Sequence, residues 1–378
     1  MKVMIVVTHL LGTGHLRRAA VLARAFADAG HRVLLASGGM PLRDLGLGGA
    51  ELLQLPPVRS DGVDFARLLD RDGQAADPGL LDARRDALCS AAGALMPDIL
   101  ITELYPFGRR VLSGEFQALL LQVRGLPRQP LVLASVRDIL APPSTPAKAE
   151  RTDRMIAENY DAVLVHSDPG GVPLEQSWPV GPALAGKLRY TGYIAPPPAG
   201  PHPDGTGAGE ILVSAGGGAV GTPLFETAIR AARLMPDRVW RLLVGGSDAG
   251  RVRNLADSAP RGVIVEAARP DFRQMLTGAA ASVSLCGYNT ALDILQAGTP
   301  AVFVPFDDGN EVEQTLRAQS LAQLPGLTVL RTADLTPEAL AKAVSGVIAA
   351  PERSPSSLRF DGAAQSVAIA VAMAQART

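Results

Sequence analysis

Two stretches decide how this chain folds: Lys2-Val3-Met4-Ile5-Val6-Val7-Thr8, leading into Gly12-Thr13-Gly14-His15-Leu16-Arg17-Arg18, and Glu210-Ile211-Leu212-Val213-Ser214, leading into Ala215-Gly216-Gly217-Gly218-Ala219-Val220-Gly221. Each is a short apolar run that ends in a glycine-rich turn. That is the pattern of a strand covered on both faces in a parallel sheet. Beyond the first turn Leu16, Ala19, Ala20, Leu22, Ala23 and Phe26 recur at a helical period until Gly30. Arg32–Ala36 then reads as the next strand, so the chain opens with a βαβ unit.

Working outward, Ile99–Thr102, Leu131–Ser135 and Ala162–His166 are further short apolar runs between helical stretches. The alternation implies a parallel sheet with helices on both faces. The plan restarts after the second turn, with a helix at Leu224–Leu234 and strands at Val239–Val244, Val263–Glu266, Ala281–Leu285 and Ala301–Val304. Between the halves, Ala195-Pro196-Pro197-Pro198-Ala199-Gly200-Pro201 suits neither helix nor central strand and reads as a stiff linker. The expected division is a domain over 1–194, a linker over 195–209 and a second domain over 210–355. Residues 362–377 form an apolar terminal helix that must pack on something.

A length of 378 residues fits two domains at ~100–200 residues each. Hydrophobic residues make up 47%, enough for each half to bury a core. A net charge of −1 argues against a nucleic-acid partner. Cys89 and Cys286 fall in different halves without metal-ligand spacing and read as core residues. No apolar run reaches the ~18 residues of a membrane span, and the opening run is too short for a signal peptide. The expected location is cytoplasmic. Basic pairs at Arg84-Arg85 and Arg109-Arg110 leave two readings open: peripheral contact with an anionic inner membrane face, or ordinary solvated surface with arginines directed at the site.

Three constellations carry chemistry. Gly14 and its neighbours let a ligand approach the backbone where a helix begins. His15 in that turn suits a general base, or a residue that merely caps the helix. Gly216-Gly217-Gly218 before the next helix offers N–H groups to phosphate oxygens, without the Lys-Ser/Thr of a P-loop. The third is Ser284-Leu285-Cys286-Gly287-Tyr288-Asn289-Thr290-Ala291-Leu292-Asp293, followed by Pro305-Phe306-Asp307-Asp308-Gly309-Asn310-Glu311-Val312-Glu313-Gln314. It places a glycine turn, a helix start and Asp293 at a strand end, where a carboxylate can accept ribose hydroxyls. The plainer reading of Asp293 is a surface carboxylate favoured by the helix dipole.

Together these constellations resemble the GT-B glycosyltransferases, especially the family 28 group to which the peptidoglycan N-acetylglucosamine transferase belongs. Thr102-Glu103-Leu104-Tyr105-Pro106-Phe107-Gly108-Arg109-Arg110 and Ser135-Val136-Arg137-Asp138-Ile139-Leu140 are similar to a bacterial group known only as predicted glycosyltransferases. Cys286–Asp293 also resembles the donor signature His-Cys-Gly-Trp-Asn-Ser of plant and macrolide UDP-sugar transferases. The likeness runs from His9 to about Arg317.

The resemblance implies an α/β GT-B fold: two Rossmann-like, doubly wound parallel-sheet domains facing across a cleft. It implies a hexosyltransferase that uses a UDP-sugar, similar to UDP-N-acetylglucosamine, as co-substrate, with neither metal nor cofactor. Gly14, Gly216, Gly217, Gly218, Gly287, Tyr288, Asn289, Thr290, Asp293, Glu313 and Gln314 would hold the donor. The family has Glu where Asp293 stands. His15 would be the base, with Glu103 or Asp138 fixing its tautomer. Arg17, Arg109 and Arg137 would meet the acceptor, whether lipid-linked sugar, polysaccharide precursor or small metabolite. The terminal helix would cross back onto the first domain. Gly12–Arg18 is also similar to the UDP-sugar hydrolase of pseudaminic acid synthesis, so hydrolysis by water activated at His15 is the alternative. An epimerase of the same fold and a non-catalytic sensor are weaker rivals.

Overall fold

The computed structural model describes residues 1–11, 13–60, 67–216, 221–246, 248–307, 312–351 and 358–377. Its strands in the first half are β1 (Lys2–Val7), β2 (Arg32–Ser37), β3 (Glu51–Gln54), β4 (Ile99–Glu103), β5 (Leu131–Arg137), β6 (Ala162–His166) and β7 (Leu188–Tyr190). They pair in the order β3-β2-β1-β4-β5-β6-β7, all parallel. The second half carries β8 (Ile211–Ser214), β9 (Trp240–Val244), β10 (Val263–Ala267), β11 (Ala281–Ser284), β12 (Ala301–Phe303) and β13 (Leu327–Val329). Their order is β10-β9-β8-β11-β12-β13, again parallel. Both are the doubly wound Rossmann order. The strand order reverses between β1 and β4 in one sheet and between β8 and β11 in the other. Ligands of such sheets bind outside the strand ends at that reversal.

Period-two side chains explain the first core. Val3, Ile5 and Val7 face one side of the sheet, with Ile99, Ile101, Leu131 and Leu133. Met4, Val6, Leu100, Val132 and Ala134 face the other. The first side is covered by helix Gly14–Asp28 through Leu16, Ala19, Ala20, Ala23 and Phe26. The second is covered by helices Pro78–Leu95 and Ser113–Arg124. In the other unit Ile211, Val213, Phe225, Trp240 and Leu242 anchor one core.

The chain separates into two compact units. One comprises Met1–Pro169, Pro173–Ile194 and Asp361–Thr378, the other Gly170–Val172 and Ala195–Phe360. The prolines after Ile194 therefore pack with the second unit instead of hanging free. Arg273 Nη2 donates to the Pro197 carbonyl (2.8 Å), and Gln296 Nε2 donates to that of Pro196 (3.0 Å). Proline carbonyls remain good acceptors even where the ring forbids helix and sheet. Strands β3, β7 and β13 escape the sequence reading because they are short, at three or four residues. Their residues are mostly half-buried or exposed and never make an apolar run.

Helix Gly362–Gln375 is apolar nearly all round, yet it buries one narrow stripe: Gly362, Ser366, Ala370 and Ala374. These small side chains recur once per turn and seat it against helix Gly14–Asp28 and β5. Its start is tight. The Gly362 N–H donates to the Tyr193 carbonyl (3.0 Å), and a Cβ there would lie 2.3 Å from the Gly192 oxygen. Gly362→Ala is expected to lower the stability of this unit by roughly 1–3 kcal/mol, because the added methyl must push backbone aside. An unchanged urea midpoint would show that the helix is not seated this way.

Arg84, read from sequence as half of a surface basic pair, is fully buried. Arg85 is exposed but held by Asp82 (2.6 Å) and Asp86 (2.9 Å). Of the described residues, no helix is long and apolar enough to cross a membrane.

Candidate functional site

In the first unit the strand reversal places two sequence elements side by side. β1 ends in the turn that starts helix Gly14–Asp28, and neighbouring β4 ends at Glu103. His15, in the first turn of that helix, puts Nδ1 3.0 Å from Glu103 Oε1. Glu103 is buried and also bound by the Arg18 guanidinium through the same oxygen. Burial alone would push its carboxyl up. Arg18, with the His15 hydrogen bond, instead holds it below the ordinary carboxylate range, so it is ionised. An ionised carboxylate only accepts, so the Nδ1 proton belongs to His15 and Nε2 is bare. Arg18 Nη2 lies 3.1 Å from Nδ1 too, but with two donors facing each other its bond is to the carboxylate.

Burial above all, aided by Arg18 and Arg109 and opposed by Glu103, lowers the His15 pKa to about 4. The imidazole is therefore neutral at pH 7, able to take a proton, with a carboxylate behind it to stabilise the imidazolium. Asp138, the other carboxylate considered for this role, is fully buried just past β5 and makes no hydrogen bond to His15. Position after a strand end could not separate the two; only the pairing of β1 with β4 does.

The arginines sort differently from one another. Arg17 is exposed, with Nε 3.4 Å from Thr13 Oγ1. Arg137 Nε donates to the Ile139 carbonyl (3.1 Å). Arg109 Nε donates to the Thr8 carbonyl at the end of β1 (2.5 Å). Its terminal nitrogens have no hydrogen-bond partner among the described residues. Burial, and the neighbouring Arg18, lower its pKa to about 10 despite Glu103. Leu104 (φ 69°) and Arg109 (φ 59°) both hold left-handed backbone, at about 1–3 kcal/mol each. The loop between them returns the guanidinium to the sheet edge beside His15.

In the second unit the reversal lies between the turns after β8 and β11. Gly216 has φ 76°, which a side chain would resist. Gly217 and Gly218 lie outside the described residues. Gly287 precedes helix Tyr288–Ala297, which has neither a side-chain cap nor an acidic residue in its first turn. The first N–H groups of a helix have no carbonyl partner within it and stand at the positive end of its dipole. Arg317, buried and missed in the sequence, donates to the Cys286 carbonyl (2.9 Å) and lies over the Tyr288 ring (5.7 Å), which fixes that turn. Asp293 Oδ1 accepts from Arg273 Nε (2.8 Å), another partner the sequence did not flag. Burial raises the Asp293 pKa, partly offset by Arg273. Glu313 begins helix Glu313–Leu321, and Gln314 Oε1 accepts from the Phe306 N–H (3.2 Å). Among the described residues no cluster of His, Cys, Asp or Glu could hold a metal ion.

This pair of Rossmann-like units, one with a His–carboxylate pair and the other with a helix start at its strand reversal, is the GT-B glycosyltransferase fold. Residues 263–367 match the Glycosyltransferase family 28 C-terminal domain. The chain is 28% identical over 356 residues to the UDP-N-acetylglucosamine–N-acetylmuramyl-(pentapeptide) pyrophosphoryl-undecaprenol N-acetylglucosamine transferase of Rhodospirillum centenum, covering 89% of this chain and 84% of that one. The protein of the same name from Phenylobacterium zucineum is 27% identical, with 94% and 92% covered. In fold it is similar to Acinetobacter baumannii MurG, with a TM-score of 0.63, 16% identity and 99% of both chains covered. It is likewise similar to the calicheamicin glycosyltransferase CalG4, with a TM-score of 0.60, 18% identity and 98% and 94% covered. The chain is an enzyme of the glycosyltransferase class.

Proposed function

We propose that this enzyme moves a hexosyl unit from a UDP-sugar, of the UDP-N-acetylglucosamine kind, to an acceptor hydroxyl, without a metal ion, with His15 as base. The observation that carries the reading is the Nδ1–Glu103 hydrogen bond at the strand reversal, which leaves His15 Nε2 bare. In the proposed step Nε2 takes the acceptor's hydroxyl proton while that oxygen bonds to the anomeric carbon. The bond from that carbon to the diphosphate oxygen breaks, and UDP leaves with the electron pair. The helix start at Tyr288–Thr290 and the Gly216 turn take up the charge that develops on UDP. Asp293 Oδ2, not engaged by Arg273, receives ribose hydroxyls, and Glu313 and the Gln314 amide receive those of the sugar. Arg109, which has no hydrogen-bonded carboxylate among the described residues, faces the acceptor. The names of the relatives support a UDP-N-acetylglucosamine donor and a lipid-linked acceptor.

The test is UDP release from a panel of UDP-, dTDP- and GDP-sugars, with and without cell extract as acceptor. Release that needs extract is expected; equal release without it would make the enzyme a hydrolase.

The histidine environment sets the pH dependence. The working form of His15 is neutral, and with a pKa of about 4 it persists down to pH ~5. The kcat/KM profile is expected to stay flat through pH 6.5, where an ordinary imidazole would bend it, and to fall only near pH 4. Arg18→Met removes a cation that opposes protonation, so the bend should move up. A wild-type bend at 6.5 would contradict the burial of the base.

A further inference from the structure

We propose that Ser135 and His166 are positioning residues for His15, members of a buried hydrogen-bond chain that fixes which oxygen Glu103 offers to the imidazole. The proposal deepens, and rests on, the reading of His15 as base.

The chain runs sideways across the sheet. Glu103 ends β4 and Ser135 lies opposite it on β5. His166 ends β6, and Thr191 follows β7. Ser135 Oγ donates to Glu103 Oε2 at 2.5 Å. Ser135 Oγ and His166 Nε2 are 2.9 Å apart, as are His166 Nδ1 and Thr191 Oγ1. All four residues are at most 2% exposed. The flanking strand positions Ala134, Val136 and Val165 are apolar core. Packing does not call for this polar line, and each buried group in it must find a partner or destabilise the core.

The proton positions follow from the carboxylate. Oε2 can only accept, so the Ser135 hydrogen points at it. The Ser135 oxygen must then accept from His166 Nε2–H. Burial keeps His166 neutral, with its pKa lowered to about 3, so its one N–H sits on Nε2, and its Nδ1 faces Thr191 Oγ1, whose single hydrogen also meets the carbonyls of Gly192 (2.8 Å) and Val165 (3.3 Å). The donors of the line point toward Glu103.

The consequence lies in how the two carboxylate oxygens are shared. His15 and Arg18 both use Oε1, while Ser135 uses Oε2. An arginine prefers to meet both oxygens of a carboxylate. With Ser135 on Oε2 that rotation is blocked and Oε1 stays on His15. Without it, Glu103 can turn onto Arg18, and His15 loses the acceptor that keeps its proton on Nδ1. The charged and titratable groups facing His15 are Glu103, Arg18 and Arg109; those facing Glu103 are Arg18, His15 and His166.

The experiment uses the full chain. Long-range proton–nitrogen NMR reads the His15 tautomer without any substrate, and UDP release reads turnover. Wild type should show His15 with its proton on Nδ1. Ser135→Ala should convert it to a mixture and lower kcat about tenfold or more, with the KM for the UDP-sugar unchanged. His166→Gln, whose amide N–H can still donate to Ser135, should retain both properties, and His166→Leu should lose both. If His166→Leu does not fold, Ser135→Ala, which removes a single hydroxyl, carries the test. An unchanged tautomer and kcat in Ser135→Ala would overturn the proposal, as would equal behaviour of the folded Gln and Leu variants. A tautomer that shifts in Ser135→Ala while His15→Ala still turns over would keep the positioning and refute the base.

Discussion

His15→Ala is expected to lower extract-dependent UDP release by about 10²–10⁴-fold while leaving the KM for the UDP-sugar nearly unchanged. The reason is the separation of roles between the units. The proposed donor contacts, at Gly216, Tyr288–Thr290, Asp293, Glu313 and Gln314, lie on the second unit, and none involves His15. Removing the imidazole deletes the bare Nε2 that would take the proton, and leaves Glu103 with Arg18 and Ser135, so the buried carboxylate remains satisfied and the fold is kept. Glu103→Gln should act in the same direction through a wrong tautomer and an unstabilised imidazolium. Turnover retained within a few fold in His15→Ala would remove His15 from the chemistry. A large rise in donor KM would instead make it a donor contact.

The largest expected effect on stability comes from a residue outside the site. Arg84 meets Glu115 through both oxygens (Nε–Oε2 2.9 Å, Nη2–Oε1 2.8 Å). It also donates to the carbonyls of Gly38 (2.7 Å) and Pro56 (2.5 Å). The side chains are 0% and 3% exposed. Glu115→Leu strands a buried cation and should cost the first unit roughly 3–5 kcal/mol. Glu115→Leu with Arg84→Leu should cost less than the sum of the two single changes, because the stranded charge leaves with its partner. The chain has two tryptophans, Trp178 in the first unit and Trp240 in the second. In a Trp240→Phe background, Trp178 fluorescence follows the first unit alone, and the urea midpoint at constant m reads the loss. A shift below about 1 kcal/mol would mean that water reaches Arg84.

Arg84 also marks where sequence reading stops. In the linear chain it stands beside Arg85 and looks like half of a basic surface pair. Its partner Glu115 is 31 positions away on the next helix of the same layer, and no local pattern links them. The same distance in sequence hid the partners of the site. His15 stood out as a histidine in a glycine turn after an apolar run, where a base and a helix cap read alike. Glu103 and Asp138 stood alike, each just past an apolar run, until strand order put β4 beside β1 and β5 one place further off. Ser135 and His166 carried only a faint signal, as polar residues within or ending runs otherwise made of Val, Leu and Ala.

The sequence by itself determined the two parallel sheets, their glycine turns and the helix starts, because these follow from periodicity and backbone freedom within a few residues. It also determined which residue types stand at the strand ends. The tertiary structure decided which carboxylate faces His15, which arginines are buried and paired, that the prolines after Ile194 pack with the second unit, and that the terminal helix seats on the first. Those outcomes depend on strand order and on partners tens to hundreds of residues apart. Hydrogen bonds and ion pairs reach only about 3 Å, so they are fixed by what the folded chain brings together.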